Sequence, residues 1–243
     1  MAAPPKNEEP GTSNSTLLSH QDLVSKLDVV PVFHIVDLDT KSMIPNEDDL
    51  GIAPGASGCF YLDHQDALAA LAILQACNPT LKLALQATPL GTAFALAEGW
   101  QQVPGDAALR LQASQAAVKS LPEPPDALPE PLRARFNPRI GPLPLLTIEG
   151  FHLQGGITPV FFSAHDLVAM WKRVAGKASL SEMPDVHCTD LRLLVARMLS
   201  EEGNRWDLVH FVAPLGCVEH AQALQERDVS IGEEPPPLAL LGS

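Results

Sequence analysis

Apolar and polar residues follow one another along this chain in an order that occurs twice. The segment PLLTIEGFHLQGGITPVFFSAHDLVAMW (144–171) predicts two strands, a glycine-rich turn and a helix, and PVFHIVDL (31–38) with SGCFYLDHQDALAAL (57–71) predicts the same order. With a shift of 100 residues, Asp63 aligns with Ser163. Both residue types cap helices, because their side-chain oxygens accept hydrogen bonds from first-turn amides. The pattern therefore predicts a duplicated unit.

The predicted helices of the two copies bury equivalent faces. After the first cap of each copy, apolar residues have the i, i+3, i+4, i+7 spacing of one buried helical side. They are Ala67, Ala70, Leu71 and Leu74 in the first copy and Leu167, Met170, Trp171 and Val174 in the second. With one residue of slip, Thr88 and Thr189 are predicted to cap a second helix, with Pro89 at the favoured first helical position. That helix again repeats its apolar face, with Leu90, Ala93, Phe94 and Ala97 against Leu191, Leu194, Val195 and Met198.

The remaining elements complete one plan per copy. Short extended runs precede and follow each second helix, and these are residues 81–85 and 108–113 in the first copy and 185–188 and 208–213 in the second. A smaller helix closes each copy, near residues 114–121 and 216–225. The sequence therefore predicts an α/β fold of two pseudo-symmetric β-β-α-β-α-β-α repeats, each opened by a hairpin.

The expected domain organisation follows from these repeats and from the proline-rich stretch between them. Prolines there exclude a continuous helix or a central strand and favour a stiff connector. The predicted boundaries are an N-terminal tail and helix at 1–28, a first repeat at 29–121, a connector at 122–142, a second repeat at 143–228 and a C-terminal tail at 229–243. The first hairpin (37–57) is longer than the second (149–156).

Composition narrows the possible functions. The chain has 243 residues, 46% of them hydrophobic, which is enough for a substantial core. Its formal net charge of −13 argues against nucleic acid as a partner, because such binding needs clustered Lys and Arg. No apolar run reaches the length of a membrane span, so membrane insertion is not expected. The first residues contain Glu and Asp and predict neither a secretory signal nor a transit peptide.

Motifs for catalysis, cofactor binding and metal binding are not found, so the sequence predicts no residues for these roles. The glycine groups at 51–58 and 154–159 lack the order of a nucleotide loop and predict turns. The four cysteines form no metal-binding pair, and the spacing of Cys217 and His220 is the only candidate for an activated thiol. Phe151 and Leu153, near the tip of the second hairpin, are the candidate partner-binding residues. The alternative is that this hairpin folds down and buries them.

The quoted segments resemble the family of the twenty-two-kilodalton subunit of the chloroplast inner-envelope translocon. The similarity lies in GCFYLDHQDALAAL (58–71), TPLGTAFALAEGW (88–100) and above all GPLPLLTIEGFHLQGGITPVFFSAHDL (141–167), and it covers about residues 30–212. The resemblance implies a two-winged, butterfly-like fold and a chaperone-like role for preproteins crossing the plastid envelope, with no known catalysis. It also implies the intermembrane space of the plastid, with the thylakoid lumen or the stroma as other possibilities.

Three hypotheses follow. In the first, the chain is a non-enzymatic import factor or holdase whose partners are preproteins or transit peptides and translocon subunits. It binds unfolded segments in shallow apolar grooves between the wings, while its acidic surface attracts basic presequences. In the second, it is a structural or assembly subunit of a larger plastid complex. The third is a thiol or hydrolytic enzyme that uses Cys217 and His220.

Overall fold

A computed structural model describes residues 17–46, 57–102, 109–120, 142–174, 183–202 and 204–232. Almost all of the predicted connector lies outside these residues, as do residues 1–16 and 233–243 of the predicted tails. The elements of the first copy are α1 (His20–Leu27), β1 (Pro31–Asp37), β2 (Pro45–Asn46), β3 (Ser57–Tyr61), α2 (His64–Cys77), β4 (Leu83–Pro89), α3 (Leu90–Ala97), β5 (Leu109–Gln112) and α4 (Gln115–Ser120). Those of the second copy are β6 (Pro144–Ile148), β7 (Thr158–Phe161), α5 (Ala164–Val174), β8 (Val186–Asp190), α6 (Leu191–Ser200), β9 (Val209–Val212) and α7 (Cys217–Gly232).

The two copies form two sheets with the same strand order. In the first sheet the order is β4-β1-β3-β5, with the short β2 also paired to β3, and in the second sheet it is β8-β6-β7-β9. In each sheet the central strand, β1 or β6, is antiparallel to both of its neighbours. The last strand runs parallel to its neighbour, β5 to β3 in the first sheet and β9 to β7 in the second. The predicted α/β fold with two pseudo-symmetric repeats is therefore confirmed.

The predicted first caps are correct, and the second caps lie one residue later than predicted. Asp63 accepts hydrogen bonds from the backbone amides of Gln65 and Asp66, and Ser163 accepts one from that of Asp166. Thr88 and Thr189 instead continue their strands, because each is paired with the central strand of its sheet. The cap positions are taken by Pro89, which offers no side-chain bond, and by Asp190, whose carboxylate accepts from the Arg192 amide.

One apolar core joins the two copies. It lies between the inner faces of both sheets and includes α1, α3 and α6, so that both predicted second-helix faces are buried in it. Its fully buried members include Leu27, Val32, Phe94, Leu145 and Val195. Because Val32 and Leu145 come from the central strands β1 and β6, neither sheet can complete its inner face without the other copy.

The outer faces of the sheets are covered by different elements. The first sheet carries α2 and α7, so the last described helix of the second copy packs on the sheet of the first. The second sheet carries α5, whose Leu167 is buried with Leu146 and Phe161. The predicted α5 face is wrong at its end, since Val174 is exposed. Helix α7 is also longer than predicted.

Helices α1 and α3 cross closely because Gly91 has no side chain. A Cβ on Gly91 would lie 2.1 Å from the carbonyl oxygen of Val24, a distance that real Cβ atoms do not reach. Asp28, which follows α1, accepts a hydrogen bond from the Thr92 amide at 3.0 Å. This contact fixes the loop between α1 and β1 against the first turn of α3.

Candidate functional site

A groove opens on the outside of the first half, between α7 and the end of the outer strand β4. It has a volume of about 180 Å³ and is lined by the loop after α1, by the first residue of β1, by the last residues of β4 and by one side of α7. The lining residues are Asp28, Val29, Pro31, Ala87, Thr88, Pro89, Val218, Ala221, Gln222 and Gln225. Both copies therefore contribute a wall, and the packing of α7 on the first sheet creates the groove.

The groove combines apolar surface with neutral polar groups. Val29 and Val218 both line it, with 59% and 40% of their surfaces exposed, so the groove offers apolar surface to a partner. Gln222 and Gln225 each bring an amide that can donate and accept hydrogen bonds. Asp28 is the one ionisable residue of the lining, and its carboxylate already binds the Thr92 amide. These groups suit an extended polypeptide, whose backbone offers alternating donors and acceptors.

The predicted partner-binding hairpin is folded against the second sheet. Phe151 is only 6% exposed, and its ring packs edge-on to Trp171 with the ring centroids 5.5 Å apart. Leu153 is half-buried in the same cluster. The structure therefore has the alternative in which the hairpin folds down, because Gly150 and Gly155 take positive φ angles and turn the chain back onto the sheet. Partner binding at this hairpin stays a prediction.

Client binding in grooves between the wings stays a prediction, and the inner sides of the two sheets leave little space for it. The space between the two sheets is filled by the shared core. The small cavity at the junction of the copies has a volume of about 10 Å³, and Leu62, Leu143 and Phe162 are among its lining residues. That is room for about one water molecule.

The candidate thiol does not have the environment of a nucleophile. Cys217 is buried at the start of α7, and this burial raises the pKa of its thiol to about 11. Its Sγ lies 3.7 Å from Nδ1 of His64, whereas His220 stacks on the ring of His64. A thiol with this pKa is protonated at neutral pH and therefore weakly nucleophilic. Within the described residues, no group of three His, Cys, Asp or Glu side chains could hold a metal ion.

The acidic residue that is identical in the two copies has a structural role. Oδ2 of Asp66 accepts a hydrogen bond from the Gln115 amide at 2.8 Å, and Oδ2 of Asp166 accepts one from the Leu215 amide at 3.0 Å. Each bond ties the first turn of α2 or α5 to the segment that leaves the last strand of its sheet. His165, beside Asp166, is largely exposed.

Membrane crossing is not supported by the helices that the structure describes, none of which combines the length and hydropathy that a span requires.

Two sheets of equal strand order around one core define the class of this protein, a two-winged α/β fold of duplicated halves. Two solved structures with this fold are "Anabaena Tic22 (protein transport)" and "Tic22 from Plasmodium falciparum". The first has a TM-score of 0.61 at 17% identity and covers 86% of this chain and 98% of its own. The second has a TM-score of 0.59 at 18% identity and covers 84% of this chain and 98% of its own.

Sequence comparison adds nothing to this likeness, since neither a family model nor a curated protein matches the chain. The predicted resemblance to the translocon subunit is thus confirmed at the level of the fold.

Sequence reasoning missed the groove. Its walls come from three separated parts of the chain, near residues 28–31, 87–89 and 218–225. The one available signal was the pair Val218 and Ala221, which share a helical side with Gln222 and Gln225 in the predicted last helix.

Proposed function

We propose that this chain is a non-enzymatic component of plastid protein import that binds extended segments of preproteins in the groove between α7 and β4. The observation that carries the proposal is the groove itself, which combines exposed valines and amide side chains with a single acidic residue, Asp28, and no basic one. Such a lining accepts many sequences, because backbone hydrogen bonding and apolar contact depend little on side-chain identity.

The charge of the chain favours basic clients. With 29 acidic and 16 basic residues, the chain has a net charge of −13 and attracts Arg-rich, acid-poor presequences over a distance of about 10 Å at moderate salt. The Asp28 carboxylate, which also accepts the Thr92 amide, adds a negative charge to the lining, and the rest of the net charge acts on the approach of the client. Binding should therefore weaken with salt without disappearing.

The fold supports the same class of function. One of the solved structures named above, Anabaena Tic22, is a protein of protein transport. From the fold and the sequence resemblance we infer a plastid location, with translocon subunits as further partners. The intermembrane space is the compartment that the resemblance favours over the thylakoid lumen or the stroma.

The experiment fills the groove without changing its charge. Gln222→Trp places an indole in the lining, and Gln101→Trp makes the same change at an exposed residue that does not line the groove. We expect Gln222→Trp to weaken the binding of a fluorescent basic presequence by about tenfold and to reduce suppression of aggregation of a denatured client, because about 1.4 kcal/mol of contact is lost. Gln101→Trp should bind like the native chain.

Two results would contradict the proposal. One is the absence of both presequence binding and aggregation suppression by the native chain at several-fold excess. The other is an equal effect of the two tryptophan substitutions, because the groove would then not be the place of binding.

A second candidate function, a subunit of a larger plastid complex, is favoured by the outer side of α2. This helix has no charged residue from Ala67 to Cys77, and it exposes Leu68 and Ile73 by 37% and 62%. An uncharged apolar helix side on an acidic protein suits a stable partner. It predicts that Ile73→Asp, and not Gln222→Trp, abolishes co-purification with one constant partner from plastids.

A further inference from the structure

Two imidazole rings face each other where α7 meets the first half. His64 is the first residue of α2, and His220 lies in the first turn of α7. Their ring centroids are 5.0 Å apart, and the rings are inclined by 29°. Phe33 of β1 packs edge-on against both rings, and its ring centroid lies 6.2 Å from that of His64 and 5.7 Å from that of His220.

The neighbouring atoms fit neutral rings. Nε2 of His64 lies 2.7 Å from the side-chain amide nitrogen of Gln65, which can only donate, and an Nε2 that accepts this hydrogen bond belongs to a neutral ring. Nδ1 of His64 lies 3.7 Å from Sγ of Cys217, and the Cys217 thiol itself donates to the carbonyl oxygen of Leu62 at 3.8 Å. Both rings also stand at helix N-termini, where the aligned peptide dipoles disfavour positive charge.

Charged groups near the pair are of both signs. Asp63 and Asp66 come from the start of α2, Asp166 from the start of α5, and Glu219 and Arg227 from α7 itself. The β1 contact is the uncharged Phe33. The carboxylates of Asp63 and Asp66 accept backbone hydrogen bonds, as does that of Asp166. Protonation of both rings would place two positive charges on stacked imidazoles whose centroids are 5.0 Å apart.

We propose that His64 and His220 form a proton-sensitive latch that holds α7 on the first sheet and thereby maintains the groove. While the rings are neutral, they stack and close the N-terminal end of α7 against α2. When both rings are protonated, they repel each other, α7 loosens and the groove loses one wall. The inference rests on the proposed function only in taking the groove as the place of client binding.

The position of His220 explains how the latch acts on the groove. Val218, Ala221, Gln222 and Gln225 form the α7 wall, and His220 lies in the same two turns of the helix. Ala221 and Cys217 are also buried against β1 and β4. A movement of this end of α7 therefore changes the lining directly, without requiring any change in the second sheet.

Acid should act in the opening direction. Partial burial, followed by the charges of His64 and Arg227, lowers the pKa of His220. A base with a lowered pKa binds its proton more tightly once α7 is released, so protons favour the released form as the pH falls below the ordinary histidine pKa of about 6.5. The client would then be bound at neutral pH and released in a more acidic compartment.

Hydrogen exchange of the full chain tests the latch without a client. The protection of the backbone amides in residues 217–227, corrected for intrinsic rates, is compared at about pH 7.5 and about pH 5.5, on either side of the ordinary histidine pKa. We expect it to fall at the lower pH by up to about tenfold, the limit for a ring that binds no proton while stacked and has the ordinary histidine pKa of about 6.5 once released. Protection of α5 should stay constant, which separates release of α7 from global unfolding.

Substitutions then assign the effect to the pair. The double variant His64→Gln, His220→Gln should keep the same α7 protection at both pH values, and His220→Gln alone, which leaves one ring, should do the same. His187→Gln changes an exposed ring on the second sheet, beside Glu149, and should respond like the native chain. Equal α7 protection in the native chain at both pH values would overturn the latch, as would an unchanged loss of protection in both glutamine variants.

Presequence binding by the same samples separates this inference from the proposed function. If α7 protection depends on pH and the presequence binds at neither pH, the latch stands and the groove is not the client site. If the presequence binds equally at both pH values while α7 loosens in acid, the link between latch and groove is wrong.

Discussion

The two sheets have one strand order and two different outer coverings. Leu85 on β4 and Val186 on β8 are equivalent, since each lies opposite an isoleucine of the central strand, Ile35 or Ile148. Leu85 is 6% exposed beneath α2 and α7, whereas Val186 is 40% exposed. Because α7 crosses to the first sheet, the duplicated plan yields a groove on that half, and the surface that we propose as the client site lies where the symmetry ends.

The second helices of the two halves also begin differently. In the second half, Asp190 caps α6, and both of its carboxylate oxygens are bound by the guanidinium of Arg192, at 2.9 and 2.8 Å. In the first half, Pro89 and Gly91 occupy these places, and Gly91 allows α1 to approach. One half thus fixes the start of its helix by a buried ion pair and the other by close packing.

The largest effect is expected from breaking that ion pair. Asp190→Ala removes the cap and leaves the Arg192 guanidinium, whose side chain is 13% exposed, without its carboxylate. We expect the free energy of unfolding to fall by about 4 kcal/mol, since breaking a buried pair costs ~3–5 kcal/mol. Chemical denaturation measures the loss. Pro89→Ala, at the equivalent place without a side-chain cap, should cost less than about 1 kcal/mol, and equal losses would show that the two starts do not differ.

The outer coverings predict a smaller difference. Leu85→Ala opens a cavity beneath two helices and should lower the free energy of unfolding by about 3 kcal/mol. Val186→Ala, at the equivalent but exposed place, should cost less than about 1 kcal/mol, because little packing is lost. The two variants are compared by denaturation under the same conditions. A large loss for Val186→Ala would mean that the second sheet is covered as well as the first.

The smallest of the three effects depends on pH. His34 is buried on the inner side of β1, against Phe60 and Thr88, and this burial lowers its pKa to about 4. Between about pH 6.5 and pH 4 the unfolded chain binds a proton that the folded chain excludes, so this contribution to stability decreases as the pH falls. At pH 5 the loss should be about 2 kcal/mol, from about 1.4 kcal/mol per pH unit.

The variant His34→Thr tests this origin. Thr147 occupies the place equivalent to His34 in the second half, since Phe33 and Leu146 are equivalent in the two sheets. The variant should therefore lose about 2 kcal/mol less than the native chain between pH 7 and pH 5. If the native chain and the variant lose the same stability on acidification, another group is responsible.

The order of elements could be predicted from the sequence because each depends on neighbouring residues. The caps Asp63 and Ser163 and the helix faces at 90–97 and 191–198 follow from local hydrogen bonding and period, and they are confirmed. The prediction that Thr88 and Thr189 are caps was wrong, because threonine occurs both at strand ends and at helix caps. Both residues belong to strands here, since each pairs with the central strand of its sheet.

The candidate site could not be predicted, because it depends on contacts between distant residues. No local sequence pattern predicts that α7 packs on the sheet of the other copy. The groove and the contact between His64 and His220 both follow from that packing. The burial of Phe151 similarly depends on positive φ angles at Gly150 and Gly155, which a glycine permits without requiring.

The crossing of α7 also sets an order in time. Cys217 contacts the carbonyl of Leu62 across 155 residues of sequence, so the outer side of the first sheet is closed only after α7 has been synthesised. Contacts of such long range slow folding and leave apolar surface uncovered meanwhile. The half of the molecule that appears first is therefore completed last, and during that interval the chain itself resembles the unfolded clients that we propose it binds.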